Sequence, residues 1–390
     1  MNPMVSFVVP CYKLAHLLPE CVESILDQTY KDFEILIMDD CSPDNTPEVA
    51  RSFTDPRIRY IRNEPNLGHL RNYNKGIEQA RGEFIWLISA DDRFRNRTAL
   101  EQYVLFMEAN PTAGFACCPA VELINGVETG IAKYSVVADR NTFFTGHDFL
   151  KVLLYADVVI AGSGMVRRAC YERFGAFPLD LPYAGDWYMW CLFALHYDVA
   201  YLAEPMVNYR GHDLSMTNVL RNKNIEILVK DNLNVLWRTM HNARVARYGD
   251  VEQMSLKALA YEYARYVTGS KYPGYQMAWG DLDESIAALS SSKTEAKEVK
   301  ARVFVSVGDQ YFTCGDIARS QDAYIRALKV KPLLIAAIAK LLILKFGPIT
   351  RHLRTRRLSS RESRERALVA AVSKRDHAET KRAVPINGTI

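Results

Sequence analysis

The sequence predicts an α/β fold with a mainly parallel central sheet, followed by a helical C-terminal region. Over residues 1–115, short apolar segments alternate with segments that carry apolar residues at helical spacing. Such β-α-β units place parallel strands side by side through right-handed crossovers. Two apolar segments, 33–38 and 84–88, lead into pairs of acidic residues. From residue 221 onward the pattern is almost wholly helical.

The N-terminal elements follow one another as strand, helix and strand. Strands are predicted at 5–9, 33–38, 58–61 and 84–88, and helices at 17–28, 47–53 and 70–80. Pro10 ends the first strand and Gly82 ends the last of these helices. Because an open α/β sheet binds its ligands at the carboxyl ends of its strands, Pro10, Asp39, Asn66 and Asp91 fall where a site is expected.

Residues 116–220 give a mixed pattern, and the region after them is helical. In the mixed part we predict strands near 115–124 and 131–137 and helices near 147–155 and 186–196. Residues 308–332 have the spacing of small and large residues found in a tetratricopeptide helix pair. A single unit does not make an array, so one helical hairpin is expected there. The predicted domains are 1–220 (with halves 1–115 and 116–220), 221–350 and a basic tail at 351–390.

Composition excludes several protein classes. Hydrophobic residues make up 49% and charged residues 24% of the 390 residues, as in an ordinary globular protein. The eight cysteines form no CxxC pair and lie mainly in apolar segments, which indicates reduced thiols in a cytoplasmic protein. We find no signal peptide and no apolar run long enough to span a membrane. These features argue against a secreted, disulfide-bonded or integral membrane protein.

The net charge of +4 is unevenly distributed. Residues 351–382 contain 11 Lys and Arg against 4 Asp and Glu, a net +7 that leaves −3 for the rest. No nucleic-acid role is therefore expected for the whole protein. The segment 333–346 is apolar but too short to span a bilayer, and with the arginines after it predicts contact with an anionic membrane surface. The alternative is a core helix with a solvated tail, disordered after about 376.

The two pairs of acids are the most informative feature. Asp39-Asp40 and Asp91-Asp92 each follow a predicted strand. Adjacent carboxylates repel one another unless a cation or water neutralises them. The carboxyl ends of strands in an open α/β sheet are a common place for a metal and the phosphates it carries. The pattern therefore indicates a nucleotide and its metal.

A set of short motifs runs through residues 4–217. They are Val8-Val9-Pro10-Cys11-Tyr12-Lys13, the segment 33–42, Asn66-Leu67-Gly68, Arg71-Asn72, Ala90-Asp91-Asp92, Gly185-Asp186-Trp187 and Tyr209-Arg210-Gly211-His212. In this order and spacing the set resembles the family 2 glycosyltransferases of bacterial cell-surface polysaccharide synthesis. Those are inverting enzymes with the GT-A nucleotide-sugar-binding fold.

The resemblance implies a role for each motif. The nucleotide sugar would be bound by Pro10, Tyr12, Asp39, Asp40, Asn66, Gly68, Arg71, Ala90, Asp91 and Arg210. Asp91 and His212 would hold Mg²⁺ or Mn²⁺ between the two phosphates, and Asp186 would be the catalytic base. Asp92 and Trp187 are expected on the acceptor side.

Each assignment has a structural alternative. Asp39 and Asp40 could both cap the turn that follows them. Asp40 could also accept hydrogen bonds from a ribose or from a supporting loop. Arg71 could form a surface ion pair. Asp186 could be the N-cap of the next helix, and Trp187 could serve packing alone.

Two positions depart from the usual motifs of the family. Ser89 stands two places before Asp91, where the family usually has Asp, so the metal would depend on Asp91, water and His212. The alternative for His212 is a structural role. Gly185 precedes Asp186, where Glu is usual.

The sequence thus predicts an inverting, metal-dependent sugar transferase. It would move a sugar from a nucleoside diphosphate sugar, most simply a UDP-sugar, to a hydroxyl of a glycan or lipid-linked acceptor. We expect it in the cytoplasm or peripherally on the inner membrane face, with the helical region as a candidate homodimer contact. The rivals are a non-catalytic nucleotide- or glycan-binding relative and a sugar nucleotidyltransferase. The latter would need a Gly-rich basic loop after the first strand, and a Rossmann dehydrogenase would need G-x-G-x-x-G there; neither is present.

Overall fold

The computed structural model describes residues 2–212 and 215–344. The chain divides into two compact units, Met1–Ser255 and Leu256–Ile390. The basic tail predicted at 351–390 lies outside the described residues, as does the end of the apolar segment predicted at 333–346.

The first unit contains two sheets. The strands are β1 Val5–Cys11, β2 Phe33–Asp39, β3 Ile58–Arg62, β4 Phe84–Leu87, β5 Arg93–Phe94, β6 Ala113–Cys117, β7 Ala120–Ile124, β8 Val127–Ile131, β9 Thr142–Phe144, β10 Met165–Arg167, β11 Asp198–Tyr201 and β12 Val207–Gly211. The large sheet has the order β3-β2-β1-β4-β10-β6-β11-β9, and the small sheet has the order β5-β12-β7-β8. Parallel pairing of β1 with β2 and β4, and of β2 with β3, confirms the predicted fold class.

Nine helices of the described chain begin in this unit before Gly249. They are α1 Leu18–Leu26, α2 Thr46–Ser52, α3 His69–Gln79, α4 Ala99–Ala109, α5 Gly146–Leu153, α6 Arg168–Phe174, α7 Gly185–His196, α8 Met216–Lys223 and α9 Ile225–Val245. Helix α3 lies close against the sheet, since a Cβ on Gly76 would come 2.4 Å from Val8 Cγ1.

The register of the parallel strands collects the predicted site residues at one edge. Cys11 aligns with Asp39 across β1 and β2, and Val8 aligns with Leu87 across β1 and β4. Beyond the strands, the Asp40 N–H donates to the Cys11 carbonyl (3.0 Å) and the Ala90 N–H donates to the Pro10 carbonyl (3.1 Å). Both acidic pairs therefore leave the sheet side by side.

A buried aromatic cluster lies beneath this edge. Phe7, Trp86 and Tyr103 are fully buried, with ring centroids 5.7 Å apart for Phe7 and Trp86 and 4.3 Å apart for Trp86 and Tyr103. The Trp86 indole N–H donates to the Gly162 carbonyl at 2.8 Å. Strands buried on both faces read as continuous apolar runs, which is why β1, β2 and β4 are visible in the sequence.

The small sheet returns the chain to the site. Strand β12 pairs antiparallel with β5, so that Val207 lies opposite Phe94 and Asn208 opposite Arg93. Because β5 directly follows Asp91-Asp92, continuing β12 by a few residues carries the chain back past these two acids. Long-range antiparallel pairing thus joins motifs that are more than a hundred residues apart.

Helices are the regular secondary structure of the described residues of the second unit. Its helices are α10 Gly249–Val267 (which begins in the first unit), α11 Trp279–Leu289, α12 Lys293–Cys314, α13 Ile317–Val330 and α14 Ile335–Leu344. Gly315 ends α12 in the left-handed conformation (φ +87°), and α12 packs closely on α13. A Cβ on Gly308 would come 2.3 Å from Tyr324 Cε1, so α12 and α13 approach closely at this glycine.

Two features differ from the sequence prediction. The strand expected near 131–137 is instead β8, which ends at Ile131, followed by a single 3₁₀ turn at Lys133–Ser135. The first compact unit also extends past 220, because α9 packs on α7: Tyr183 N–H donates to Asp231 at 2.7 Å and Asn242 donates to the Tyr188 hydroxyl at 3.1 Å.

All eight cysteines are free thiols, and six of them are buried, as the sequence predicts. Within residues 2–212 and 215–344, no helix combines the length and apolar character needed to cross a membrane.

Candidate functional site

Asp39 ends β2 and is fully buried. Its Oδ1 accepts the Ser42 N–H (2.8 Å), and its Oδ2 accepts the Tyr60 hydroxyl (2.6 Å) and the Arg62 guanidinium (2.7 Å). A carboxylate offers about four acceptor positions, so these three donors leave about one, which is enclosed here because the side chain is fully buried. The turn-capping alternative is therefore realised through Ser42, and the nucleotide-sugar contact predicted for Asp39 stays a prediction.

Asp40 organises a loop rather than facing outward. Its carboxylate accepts the side-chain amide of Asn63 (2.9 Å) and the N–H groups of Leu67 (2.8 Å) and Gly68 (2.9 Å). The Asn66 amide donates to the Asp40 carbonyl at 2.7 Å. Gly68 has φ +82°, a conformation that side chains strain, so glycine is required where this loop turns into α3. The supporting-loop alternative for Asp40 is the arrangement present in the structure.

Arg71 and Tyr12 are the exposed groups at this edge. Arg71 lies in the first turn of α3, whose N-cap makes no side-chain hydrogen bond, and no ion pair of Arg71 occurs within the described residues. Tyr12 follows β1 and is 45% exposed. A free guanidinium near a helix N-terminus suits a phosphate, and an open aromatic ring suits a base.

Asp91 and His212 meet across the site. His212 Nε2 lies 2.8 Å from Asp91 Oδ2, while Asp91 Oδ1 is buried and has no hydrogen-bond partner among the described residues. Burial would raise the pKa of Asp91, but hydrogen bonds from His212 and Ser89, together with the charge of His212, hold the pKa below its usual value. An ionised, unsatisfied carboxylate oxygen beside an imidazole is a suitable donor set for a divalent cation.

The cation site is incomplete on the protein side. Within residues 2–212 and 215–344, no group of three or more His, Cys, Asp or Glu side chains could hold a metal. Mg²⁺ and Mn²⁺ sites that use substrate phosphates commonly have one or two protein ligands and several waters. The residues present fit that type of site, in which Asp91 and His212 would be the protein ligands.

Asp92 faces the opposite direction and is 5% exposed. Its Oδ1 accepts the Arg210 N–H at 2.9 Å, and its Oδ2 would lie 2.8 Å from a Cβ on Gly162. Burial and the neighbouring charge of Asp91 raise the pKa of Asp92 well above its usual value. The Gly162-Ser163-Gly164 turn is therefore shaped by the approach of Asp92 and, at Gly164, of Trp190.

Arg210 bonds the main chain of the loop that carries Asp91 and Asp92, here named the acidic loop. Its Nε donates to the Asp91 carbonyl at 2.8 Å, and its guanidinium also bonds the Glu20 carboxylate, which in turn bonds Arg93. The Arg210 side chain is only 11% exposed. Arg210 is already bonded to Glu20, so a diphosphate would have to compete for the contact predicted from the sequence.

We expect Arg210→Lys to lower kcat about tenfold or more with little change in the KM for the donor. Lysine cannot bond the Asp91 carbonyl and Glu20 together, so the acidic loop would lose its position. Steady-state kinetics with the donor varied would check this, with Arg95→Lys as the control because it weakens a comparable bidentate pair with Glu128. A rise in donor KM alone would instead support direct contact with the diphosphate.

Asp186 is the second residue of α7, not its N-cap, which is Ala184. Its Oδ1 accepts the Trp187 N–H at 2.8 Å. Burial raises the pKa of Asp186 to about 6, while that hydrogen bond lowers it. A carboxyl whose pKa lies near neutral pH can accept a proton from a substrate hydroxyl.

Asp157 and Tyr73 are neighbours of Asp186 that the sequence did not reveal. Burial, and then the charge of Asp186, raise the pKa of Asp157 well above its usual value. Burial, followed by the charges of Asp91, Asp186 and Asp92, raises the pKa of Tyr73. Tyr73 therefore lies within the electrostatic reach of both acidic groups. Neither residue belongs to a recognisable motif, so only the folded chain identifies them.

Trp187 is 4% exposed and donates its indole N–H to the Leu153 carbonyl at 2.8 Å. Trp190 packs against Phe115, with centroids 5.1 Å apart. The packing alternative thus accounts for Trp187, and the acceptor-side contacts predicted for Trp187 and Asp92 stay predictions.

Residues 6–174 match the family described as Glycosyl transferase family 2. The first unit carries a family 2 glycosyltransferase domain. The resemblance inferred from the motifs is confirmed, although the match ends before Asp186, Arg210 and His212.

Curated relatives of the family 2 domain include an uncharacterized glycosyltransferase of Rickettsia typhi, 26% identical over 57% of this chain and 68% of its own length. Glycosyltransferase GlyG of Streptococcus pneumoniae is 42% identical over 24% of this chain and 31% of its own length. The putative glycosyltransferase EpsH of Bacillus subtilis is 30% identical over 58% of this chain and 66% of its own length.

Solved structures similar to this chain include residues 1–349 of TarS from S. aureus. The form in complex with UDP has a TM-score of 0.57 at 18% identity, covering 84% of this chain and 91% of that one. The form in complex with UDP-GlcNAc has a TM-score of 0.55 at 17% identity, with the same coverage. At this identity the likeness supports the fold of the family 2 domain and nothing finer.

Proposed function

We propose that this protein is an inverting glycosyltransferase that moves a sugar from a UDP-sugar to a hydroxyl of a glycan or lipid-linked acceptor. The acceptor oxygen would form a bond to the anomeric carbon as the bond from that carbon to the diphosphate breaks. Asp186 would take the hydroxyl proton, and the nucleoside diphosphate would leave with the bonding electrons.

The observation that carries the proposal is that two acidic groups of different character lie around Tyr73. Asp91 is held ionised beside His212, as suits a cation and a departing diphosphate. Asp186 has a pKa raised to about 6, as suits a base. Environments that separate the pKa values of neighbouring carboxyls are the usual sign of divided acid and base roles.

Asp91 and His212 would hold Mg²⁺ or Mn²⁺ together with phosphate oxygens of the donor. When bound, the metal would neutralise the charge that develops on the leaving diphosphate. Since the protein supplies two ligands, the cation and the donor should bind together rather than separately.

Three further residues, Tyr12, Asp39 and Arg71, are proposed to contact the donor. We propose that Tyr12 and Asp39 contact the base and that Arg71 pairs with a phosphate; the exposure of Tyr12 and Arg71 supports this. We take UDP as the nucleotide because a uracil-type imide matches the acceptor position left on Asp39, which binding of the base would have to uncover. The UDP and UDP-GlcNAc complexes of structurally similar TarS are consistent with this choice.

The acceptor and the setting are proposed from relatives. TuaG of Bacillus subtilis, 30% identical over 116 residues, is named a putative teichuronic acid biosynthesis glycosyltransferase. A role in cell-surface polysaccharide synthesis agrees with that name. The cytoplasmic setting and the lipid-linked acceptor at the inner membrane face stay predictions from the sequence. A homodimer through the helical unit stays a prediction from the sequence.

Release of nucleoside diphosphate from UDP-, GDP- and dTDP-sugars, with and without Mn²⁺, would test the proposal. We expect metal-dependent release from a UDP-sugar, increased by an acceptor hydroxyl. Product analysis at the anomeric carbon would then report inversion. If UDP bound but no nucleoside diphosphate were released from any donor with any acceptor, a non-catalytic nucleotide-binding protein would be favoured. The loss of activity would then be explained by Ser89 and Gly185, which replace the carboxylates usual at those positions in the family.

A further inference from the structure

The last described helix leaves an apolar surface uncovered. Nine of the ten α14 residues are apolar, yet only Ala337 is buried. Leu333 is 84% exposed, Ile335 80%, Leu342 53% and Ile338 38%. These four residues, here named the α14 stripe, include helical positions spaced by three and four. A helix with this composition normally lies in a core, so an exposed one indicates a binding surface.

The opposite side of α14 is anchored to its own unit. Ala337 packs with Phe304 and Ala327 in a small core, and the Lys340 ammonium bonds the Asp309 carboxylate. The stripe is therefore held in a fixed outward position by α12 and α13.

The dimensions of α14 exclude a spanning role for it. Ten residues of helix measure about 15 Å, roughly half of the ~30 Å hydrocarbon thickness of a bilayer. A short apolar face beside positive charge instead lies flat at the boundary between headgroups and acyl chains.

The charge that follows the stripe favours a lipid surface over a second copy of the chain. Residues 345–361 contain six Lys and Arg and no Asp or Glu. Two copies joined through their stripes would bring these like charges together, whereas an anionic bilayer would attract them. We propose that the α14 stripe docks on the surface of an anionic lipid bilayer with α14 parallel to it. This docking is independent of the donor chemistry proposed above.

Vesicle sedimentation of the full chain would test the docking. We expect binding to phosphatidylcholine vesicles that contain phosphatidylglycerol, and much weaker binding to pure phosphatidylcholine. The double variant Leu333→Ser/Ile335→Ser should lower the partition coefficient about tenfold or more, because two apolar side chains no longer enter the bilayer. Val245→Ser is the matched control: Val245 is also 84% exposed but belongs to α9, and this change should leave binding unaltered.

Other outcomes would overturn the proposal. Equal vesicle binding by the double variant would show that only the basic segment meets the lipid. A dimer in light scattering that the double variant abolishes, without vesicle binding, would assign the stripe to a second copy. Faster proteolysis of residues 345–390 in the double variant, again without vesicle binding, would mean that this segment covers the stripe. Sugar transfer to a soluble acceptor, measured in parallel, keeps failure of docking distinct from failure of the proposed function.

Discussion

Asp186→Asn is expected to abolish sugar transfer while making the protein more stable. Without a carboxylate to accept the hydroxyl proton, kcat should fall by about 10²- to 10⁴-fold. In the wild-type chain, burial raises the pKa of Asp186 to about 6, so at pH 7 the folded state bears the cost of holding that charge. The amide removes this cost, and we expect a gain on the order of 2 kcal/mol in the free energy of unfolding.

The pH dependence distinguishes this gain from an unrelated effect. The folded pKa of Asp186 is higher than the unfolded one, so the stability linked to this group is complete below about pH 4 and is lost as the pH rises through about 6. The difference between variant and wild type should therefore be small in acid, grow between these values and then level off. Thermal melts across this range would measure it, and wild-type turnover should fall as the pH drops below about 6.

Asp148→Asn offers a matched control for Asp186→Asn. Asp148 also lies in the first turn of a helix, but hydrogen bonds from Lys151 and Thr145 hold its pKa below the usual value. Its amide variant should be slightly less stable and fully active. If Asp186→Asn behaved in the same way, the residue would serve the helix and not the reaction.

Asp91→Asn is expected to remove the binding of Mn²⁺ that depends on UDP and to lower turnover at least about 100-fold. The amide keeps the shape of the side chain but has no negative charge. The position of Asp91 Oδ1, which is buried without a hydrogen-bond partner, would therefore no longer offer a charged ligand to the cation. Paramagnetic resonance of Mn²⁺, with and without UDP, would measure the binding directly. In the wild-type chain we expect weak binding of Mn²⁺ alone and tighter binding with UDP.

Asp92→Asn is the companion variant. Asp92 is engaged by the Arg210 N–H and lies against Gly162, so it should contribute little to the cation. Most of the UDP-linked Mn²⁺ affinity should survive in Asp92→Asn. Equal loss in both variants would show that the metal bridges the two carboxylates and would require a rearranged loop.

Sequence reasoning predicted the features that depend on local pattern. Strands buried on both faces produce unmistakable apolar runs, and each acidic pair follows such a run, so the edge of the sheet could be located before any coordinates. The pairing of Asp91 with His212 required family resemblance, because no local signal connects two residues 121 positions apart.

The parts that escaped prediction depend on tertiary contacts. Glu20 is one of two acidic residues of α1, and only the folded chain shows it bonded to Arg210, 190 residues away. Asp157 belongs to no motif, and it stands out only because the nearby charge of Asp186 helps to raise its pKa. The helical pattern that begins after residue 220 predicts a domain boundary there. In the structure, α9 packs on α7 and lies in the same compact unit as the sheet.

The return of β12 to the Asp91 loop has a practical consequence for building chimeric enzymes. A fragment cut at residue 174, where the family match ends, would keep Asp91 and lose Asp186, Arg210 and His212. Such a module would match the family 2 description but would lack the proposed base and one of the two proposed cation ligands. A transplant intended to exchange sugar specificity should extend at least through α9, to Val245, so that the transplanted segment keeps the helix that packs on α7.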